Sequence, residues 1–109
     1  MISVAIVDDD PIVCSSIGTI LTATGAAQVL WSAHDGEAAV ANCRRHAPDV
    51  LLIDVQMPGI DGLEAAERIL QDDPDARILI LTTFADPDYI RRAIDLHTKD
   101  VKLAVDMAK

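Results

Sequence analysis

Four short apolar runs, at residues 2–7, 28–33, 50–54 and 78–81, are separated by longer segments with helical spacing. That alternation constrains the fold more than any other feature of the chain. The run Val50-Leu51-Leu52-Ile53 is apolar without a break, so both of its faces expect cover. Apolar strands that alternate with amphipathic helices form a parallel sheet with helices on both sides. The crossovers are then expected to be right-handed. Periodicity alone does not give the order of the strands.

The helix boundaries are written in side-chain chemistry. Asp10-Pro11 supplies an N-cap and a proline at the first helical position. Val13, Ile17, Ile20 and Leu21 follow at helical spacing, and Gly25 closes that helix. Asp35 caps a second helix that runs to about His46, where Ala47-Pro48 stops it. Asp61 with Glu64 is a variant of the capping box and opens a third helix, ended by Asp73-Pro74-Asp75. Asp86-Pro87 predicts a fourth, with Ile90, Ala93, Ile94 and His97 on one face. Trp31, on the second strand, is expected in the core.

A chain of 109 residues makes one domain with one modest core. No membrane span and no signal peptide can be placed, and two cysteines do not make a disulfide scaffold. The cytoplasm is therefore the expected compartment. Nine basic residues stand against eighteen acidic ones, a formal charge of −9. So acidic a domain is a poor ligand for a phosphate backbone, and nucleic acid would be reached only through a separate basic domain.

In parallel sheets of this kind, ligands bind beyond the carboxyl ends of the strands. The first strand ends in Asp8-Asp9-Asp10, the third in Asp54 and the fourth in Thr82-Thr83. Taken singly, each has an ordinary explanation: Asp10 as an N-cap, Asp8 or Asp9 as an acid favoured by a helix dipole, Asp54 as a turn residue. Together they converge on one edge. Clustered carboxylates repel one another unless protons or a cation intervene, and hard oxygen donors favour Mg²⁺.

Three segments carry a family resemblance: Ile6-Val7-Asp8-Asp9-Asp10-Pro11, Leu52-Ile53-Asp54-Val55-Gln56-Met57-Pro58-Gly59-Ile60-Asp61-Gly62, and Ile80-Leu81-Thr82-Thr83-Phe84. They resemble the receiver domain of two-component response regulators, most closely the NarL/FixJ type, over residues 1–97. The resemblance implies a flavodoxin-like (CheY-like) doubly wound α/β sheet of order 2-1-3-4-5. It implies that Asp54 accepts a phosphoryl group from a sensor histidine kinase. It implies that Asp9, Asp54 and the main-chain carbonyl of Gln56 hold Mg²⁺, with Asp8 acting through water. Thr82 would hydrogen-bond the phosphoryl oxygens after transfer. Such a domain is a phosphoacceptor rather than an enzyme, with at most slow self-dephosphorylation. Relatives of this type usually carry a LuxR-like DNA-binding domain after the receiver, and the chain reads as a receiver without it. Gly59 would take a positive φ and Gly62 would be small for close packing, although two ordinary turn glycines are the plainer account.

After Leu96 the family pattern stops. The stretch 97–109 has no Gly, no Pro and no Phe, Tyr or Trp. Val101, Leu103 and Val105 alternate as in a strand, while Val101, Ala104, Val105 and Ala108 fit a helical stripe. The abundance of Ala, Lys, Leu and Met favours a helical tail over residues 98–109. In that case the edge of the fourth strand stays open, and a homodimer, with strand exchange as one route, is expected. The family's fifth-strand lysine has only Lys99 and Lys102 as candidates. Two further readings compete. Asp8-x-Asp10 resembles the nucleophile and general acid of haloacid-dehalogenase phosphohydrolases, which would leave the Asp54 block unexplained. A pseudo-receiver that binds protein and takes no phosphate would explain the missing lysine.

Overall fold

The computed structural model describes residues 1–82, 91 and 101–105. In chain order the described elements are β1 (Ser3–Val7), α1 (Pro11–Ala23), β2 (Gln28–Ala33), α2 (Gly36–Arg45), β3 (Val50–Asp54), α3 (Gly62–Asp72), β4 (Ile78–Thr82) and β5 (Val101–Val105). The fourth helix expected after Asp86-Pro87 lies outside the described residues except for Arg91, which is helical.

All registered strand pairs are parallel, and the sheet order is β2-β1-β3-β4-β5. This is the order the family resemblance implied. Alternate residues of the strands supply two apolar layers, one on each face. Ala5, Val7, Leu51, Ile53, Ile78 and Ile80 pack with Ala39 and Val40 of α2 and with Leu63, Ala66 and Ile69 of α3. Val4 and Ile6 pack with Cys14 of α1, and Ile17 and Leu21 close over them. Covering both faces is what the unbroken apolar strands require.

The helix starts follow the expected caps. The Asp10 carboxylate accepts from Ile12 N–H at 2.9 Å, Asp35 from Ala38 N–H at 2.7 Å, and Asp61 from Glu64 N–H at 2.8 Å. Gly25 ends α1 at φ 71°. At the opposite end of the sheet, Ser3 and Asp49 exchange hydrogen bonds of 2.8 and 2.9 Å, tying β1 to the entry of β3. Trp31 is half-buried rather than fully in the core. Its Nε1 donates to the His46 carbonyl at 2.9 Å, and its indole packs against the layer under α2 and α3.

The expectation of a helical tail is corrected: residues 101–105 form β5. Val101 pairs with Ile78, Leu103 with Ile80 and Val105 with Thr82. Helical propensity separates ordinary residues by only about 0.7 kcal/mol each, and an open strand edge offers a row of unmatched N–H and C=O groups. The chain itself fills that edge, which removes the argument for strand exchange.

Candidate functional site

The site lies where β1 and β3 end side by side. Val7 pairs with Ile53, so Asp8 and Asp54 are the next residues on adjacent strands. Asp54 pairs with Leu81 on its other side, which brings Thr82 to the same edge of the sheet. Asp8, Asp9 and Asp54 each offer a carboxylate oxygen, and these atoms all lie within 4.8 Å of one another. Asp8 and Asp54 are half-buried and Asp9 is exposed.

The fourth member of the sequence cluster is used elsewhere. Asp10 caps α1, and its own N–H donates to Asp8 Oδ1 at 2.9 Å. One Asp10 oxygen is thus engaged at the helix start, and the phosphohydrolase reading still leaves the Asp54 block unexplained. Lys99 lies outside the described residues. Lys102 pairs with Leu79, two positions before Leu81, so its backbone sits below the level of Asp54.

The turn after β3 is built to hold Asp54 in place. Val55 N–H donates to the Leu81 carbonyl at 3.2 Å, and Gly62 N–H returns to the Val55 carbonyl at 2.9 Å. Gly59 takes φ 79°, the left-handed region that favours glycine. Gly62 packs so closely that a Cβ there would overlap the Asp54 carbonyl oxygen and lie 2.7 Å from its carbon. Both glycines therefore carry structural requirements. Gly36 was not singled out from sequence, yet a Cβ there would stand 2.9 Å from the Ile60 carbonyl oxygen. No local signal could have revealed it, because the contact joins the start of α2 to the loop after β3.

Burial pushes the Asp54 carboxyl up to about 6 from its ordinary 3.8, and the charges of Asp8 and Asp9 push the same way, against backbone hydrogen bonds from Gln56 and Val55. Burial is also the main cause that raises Asp8, opposed by the hydrogen bond from Asp10 N–H. Both shifts come first from burial and then from the negative charge of neighbouring carboxylates. Three hard oxygen donors at one edge suit a divalent cation that keeps much of its water, so the residues present fit Mg²⁺.

A stability prediction follows. The folded chain holds the Asp54 proton more tightly than the unfolded chain does. Stability from this group is therefore fully present below the unfolded value of 3.8 and is lost as pH rises through about 6. Asp54→Asn is expected to stabilise the metal-free protein by about 1 kcal/mol at neutral pH, a figure reduced because the half-exposed carboxylate is screened by solvent. At about pH 3, below the unfolded value, both states are largely protonated and the gain should shrink towards nothing. Urea denaturation at the two pH values checks this. An Asn variant less stable than the parent at neutral pH would overturn it.

The family model of the response regulator receiver domain matches residues 4–102. The transcriptional regulatory protein DesR of Bacillus subtilis is 38% identical over 99 residues, covering 91% of this chain and 49% of DesR. The response regulator UvrY of Escherichia coli is 44% identical over 82 residues, covering 75% of this chain and 38% of UvrY. The chain thus spans less than half the length of these relatives. A crystal structure of a LuxR-family two-component response regulator from Aurantimonas sp. superposes with a TM-score of 0.89 at 27% identity, covering 100% of this chain and 76% of that one. Among the described residues, no helix is long and apolar enough to cross a membrane.

Proposed function

The chain belongs to the response-regulator receiver family, a family of signalling domains rather than classical enzymes, and from that we propose that Asp54 is its phosphoacceptor. The observation that carries this reading is the convergence of Asp8, Asp9 and Asp54 at one sheet edge, with Asp54 closing a buried strand. The donor is the phosphohistidine of a sensor kinase. An Asp54 carboxylate oxygen forms a P–O bond as the P–N bond breaks, and the electron pair of that bond leaves with the imidazole nitrogen. A carboxylate is a weak nucleophile, so the protein's task is to align it and to manage charge. Asp54 is aligned by the Val55 and Gly62 hydrogen bonds that close its turn.

Asp9, Asp54 and the Gln56 main-chain carbonyl hold Mg²⁺, with Asp8 contributing through water. The bound ion supplies neutralising charge for the transferring oxygens. Thr82, the last residue of β4, meets the phosphoryl oxygens after transfer and carries the change of state into the segment that follows it. Hydrolysis of the aspartyl phosphate by the domain itself is slow. In a longer parent the domain switches a DNA-binding output, and the protein works in the cytoplasm. The pseudo-receiver reading rests only on a fifth-strand lysine that has no better candidates than Lys99 and Lys102, while the acidic cluster favours the phosphoacceptor.

Addition of Mg²⁺ in the millimolar range is expected to shift the amide resonances of Asp9, Asp54 and Gln56, and Asp9→Asn should abolish most of that response. A spectrum unchanged at these three positions would sink the metal assignment.

A further inference from the structure

The Asp8–Asp9 peptide carries the exposed carboxylate of the site, yet it lies beyond the last registered pair of β1 with β2, Val7 with Ala33. Asp8 N–H still reaches the Ala33 carbonyl at 3.2 Å. The Asp8 carbonyl is met by a side chain: His34 Nδ1 lies 3.1 Å from it. A carbonyl oxygen can only accept, so Nδ1 carries the hydrogen and donates. Cys14 Sγ is 3.7 Å from the same oxygen, 3.9 Å from His34 Nδ1 and 4.0 Å from the Ile6 and Ala33 carbonyls, a weak donor spread over several partners. The His34 ring is the strong donor to this group.

We infer that His34 is a positioning residue for the acidic site, acting through the Asp8–Asp9 peptide. This rests on the reading of Asp9 as a metal ligand. The peptide unit is planar and rigid, so the hydrogen bond on its carbonyl fixes the direction in which Asp9 leaves it. Downstream, Asp10 N–H is bound to Asp8 Oδ1 and the Asp10 carboxylate caps α1, so the segment is clamped from both ends. His34 itself stands on a firm base. Ala33 before it is buried in β2, and Asp35 after it caps α2. A ligand held by a side chain whose own backbone is locked is the arrangement that keeps a metal site in geometry.

The test uses the full chain with His34→Ala, His34→Phe and His34→Asn. Phe keeps the ring and removes the donor; Asn places an amide N–H close to where Nδ1 stands. Ala and Phe are expected to weaken Mg²⁺ binding about three- to tenfold, while Asn restores it. In the metal-free protein, the Asp9 amide resonance should move in Ala and Phe and return in Asn, because Asp9 N–H and the Asp8 carbonyl belong to one peptide. A merely structural role would instead lower the urea midpoint in step with affinity, in Asn as well. Wild-type binding left unchanged by both Ala and Phe overturns this inference alone. A wild-type protein that binds no Mg²⁺ at Asp9 overturns the metal reading and this inference with it.

Discussion

Asp54→Asn is expected to remove phosphoryl incorporation altogether. The parent chain, incubated with acetyl phosphate and Mg²⁺, should gain the mass of one phosphoryl group, and hydroxylamine should release it as expected of an acyl phosphate. The Asn amide keeps the shape of the side chain but has no anionic oxygen to attack phosphorus. The usual objection, that a silent variant has simply unfolded, is answered by the electrostatics of the site. Asp54 is pushed up to about 6 by burial and by Asp8 and Asp9, so removing its charge relieves the fold at neutral pH. Loss of incorporation in a variant at least as stable as its parent isolates the chemistry. Undiminished incorporation would move the acceptor elsewhere, and the pseudo-receiver reading would gain if the parent itself gained no mass.

Gly62→Ala is expected to have the largest effect on stability. Gly62 is the first residue of α3, where helical propensity by itself would favour alanine by about 1 kcal/mol. Sterics oppose this. The new methyl would overlap the Asp54 carbonyl oxygen and stand 3.0 Å from Val55 Cα, both of them backbone atoms that cannot swing aside. Overpacking against backbone should cost about 3 kcal/mol net, a large share of the roughly 5–15 kcal/mol that holds a small domain together. Because the obstructing carbonyl belongs to Asp54, the variant should also lose Mg²⁺ response at Asp54 before it unfolds. Gly25→Ala is the control: φ is 71° there, but nothing lies within 4 Å of the new methyl. Only the backbone strain of about 1–2 kcal/mol remains. Chemical denaturation of the two variants, compared at equal urea, separates clash from strain. Equal losses would refute the close-packing account.

Much of the site was legible because its residues announce themselves locally. Asp54 ends an apolar strand, and Asp10, Asp35 and Asp61 stand where caps must stand, each bonded to an N–H two or three residues on. Such signals act over one turn of chain, so a linear reading reaches them. At Gly59 and Gly62 the plainer expectation of two ordinary turn glycines gave way, because Gly59 takes φ 79° and Gly62 packs against the Asp54 carbonyl. By contrast, the order of the strands came from family resemblance, because each apolar run is compatible with any neighbour.

The sequence by itself determined the alternation of strands and helices, the caps, the two-sided sheet and the acidic residues at its edge. These depend on periodicity and on contacts a few residues long. Tertiary structure alone decided three matters. It made residues 101–105 a strand, because hydrogen bonds to the open edge of β4 outweigh small differences in helical propensity. It set Gly36, at the start of α2, against Ile60 in the loop after β3, a contact that neither local pattern encodes. And it placed the His34 ring on the Asp8 carbonyl across 26 residues of chain, at 3.1 Å. Strand register fixes such distances, and register is a property of the assembled sheet rather than of any single strand.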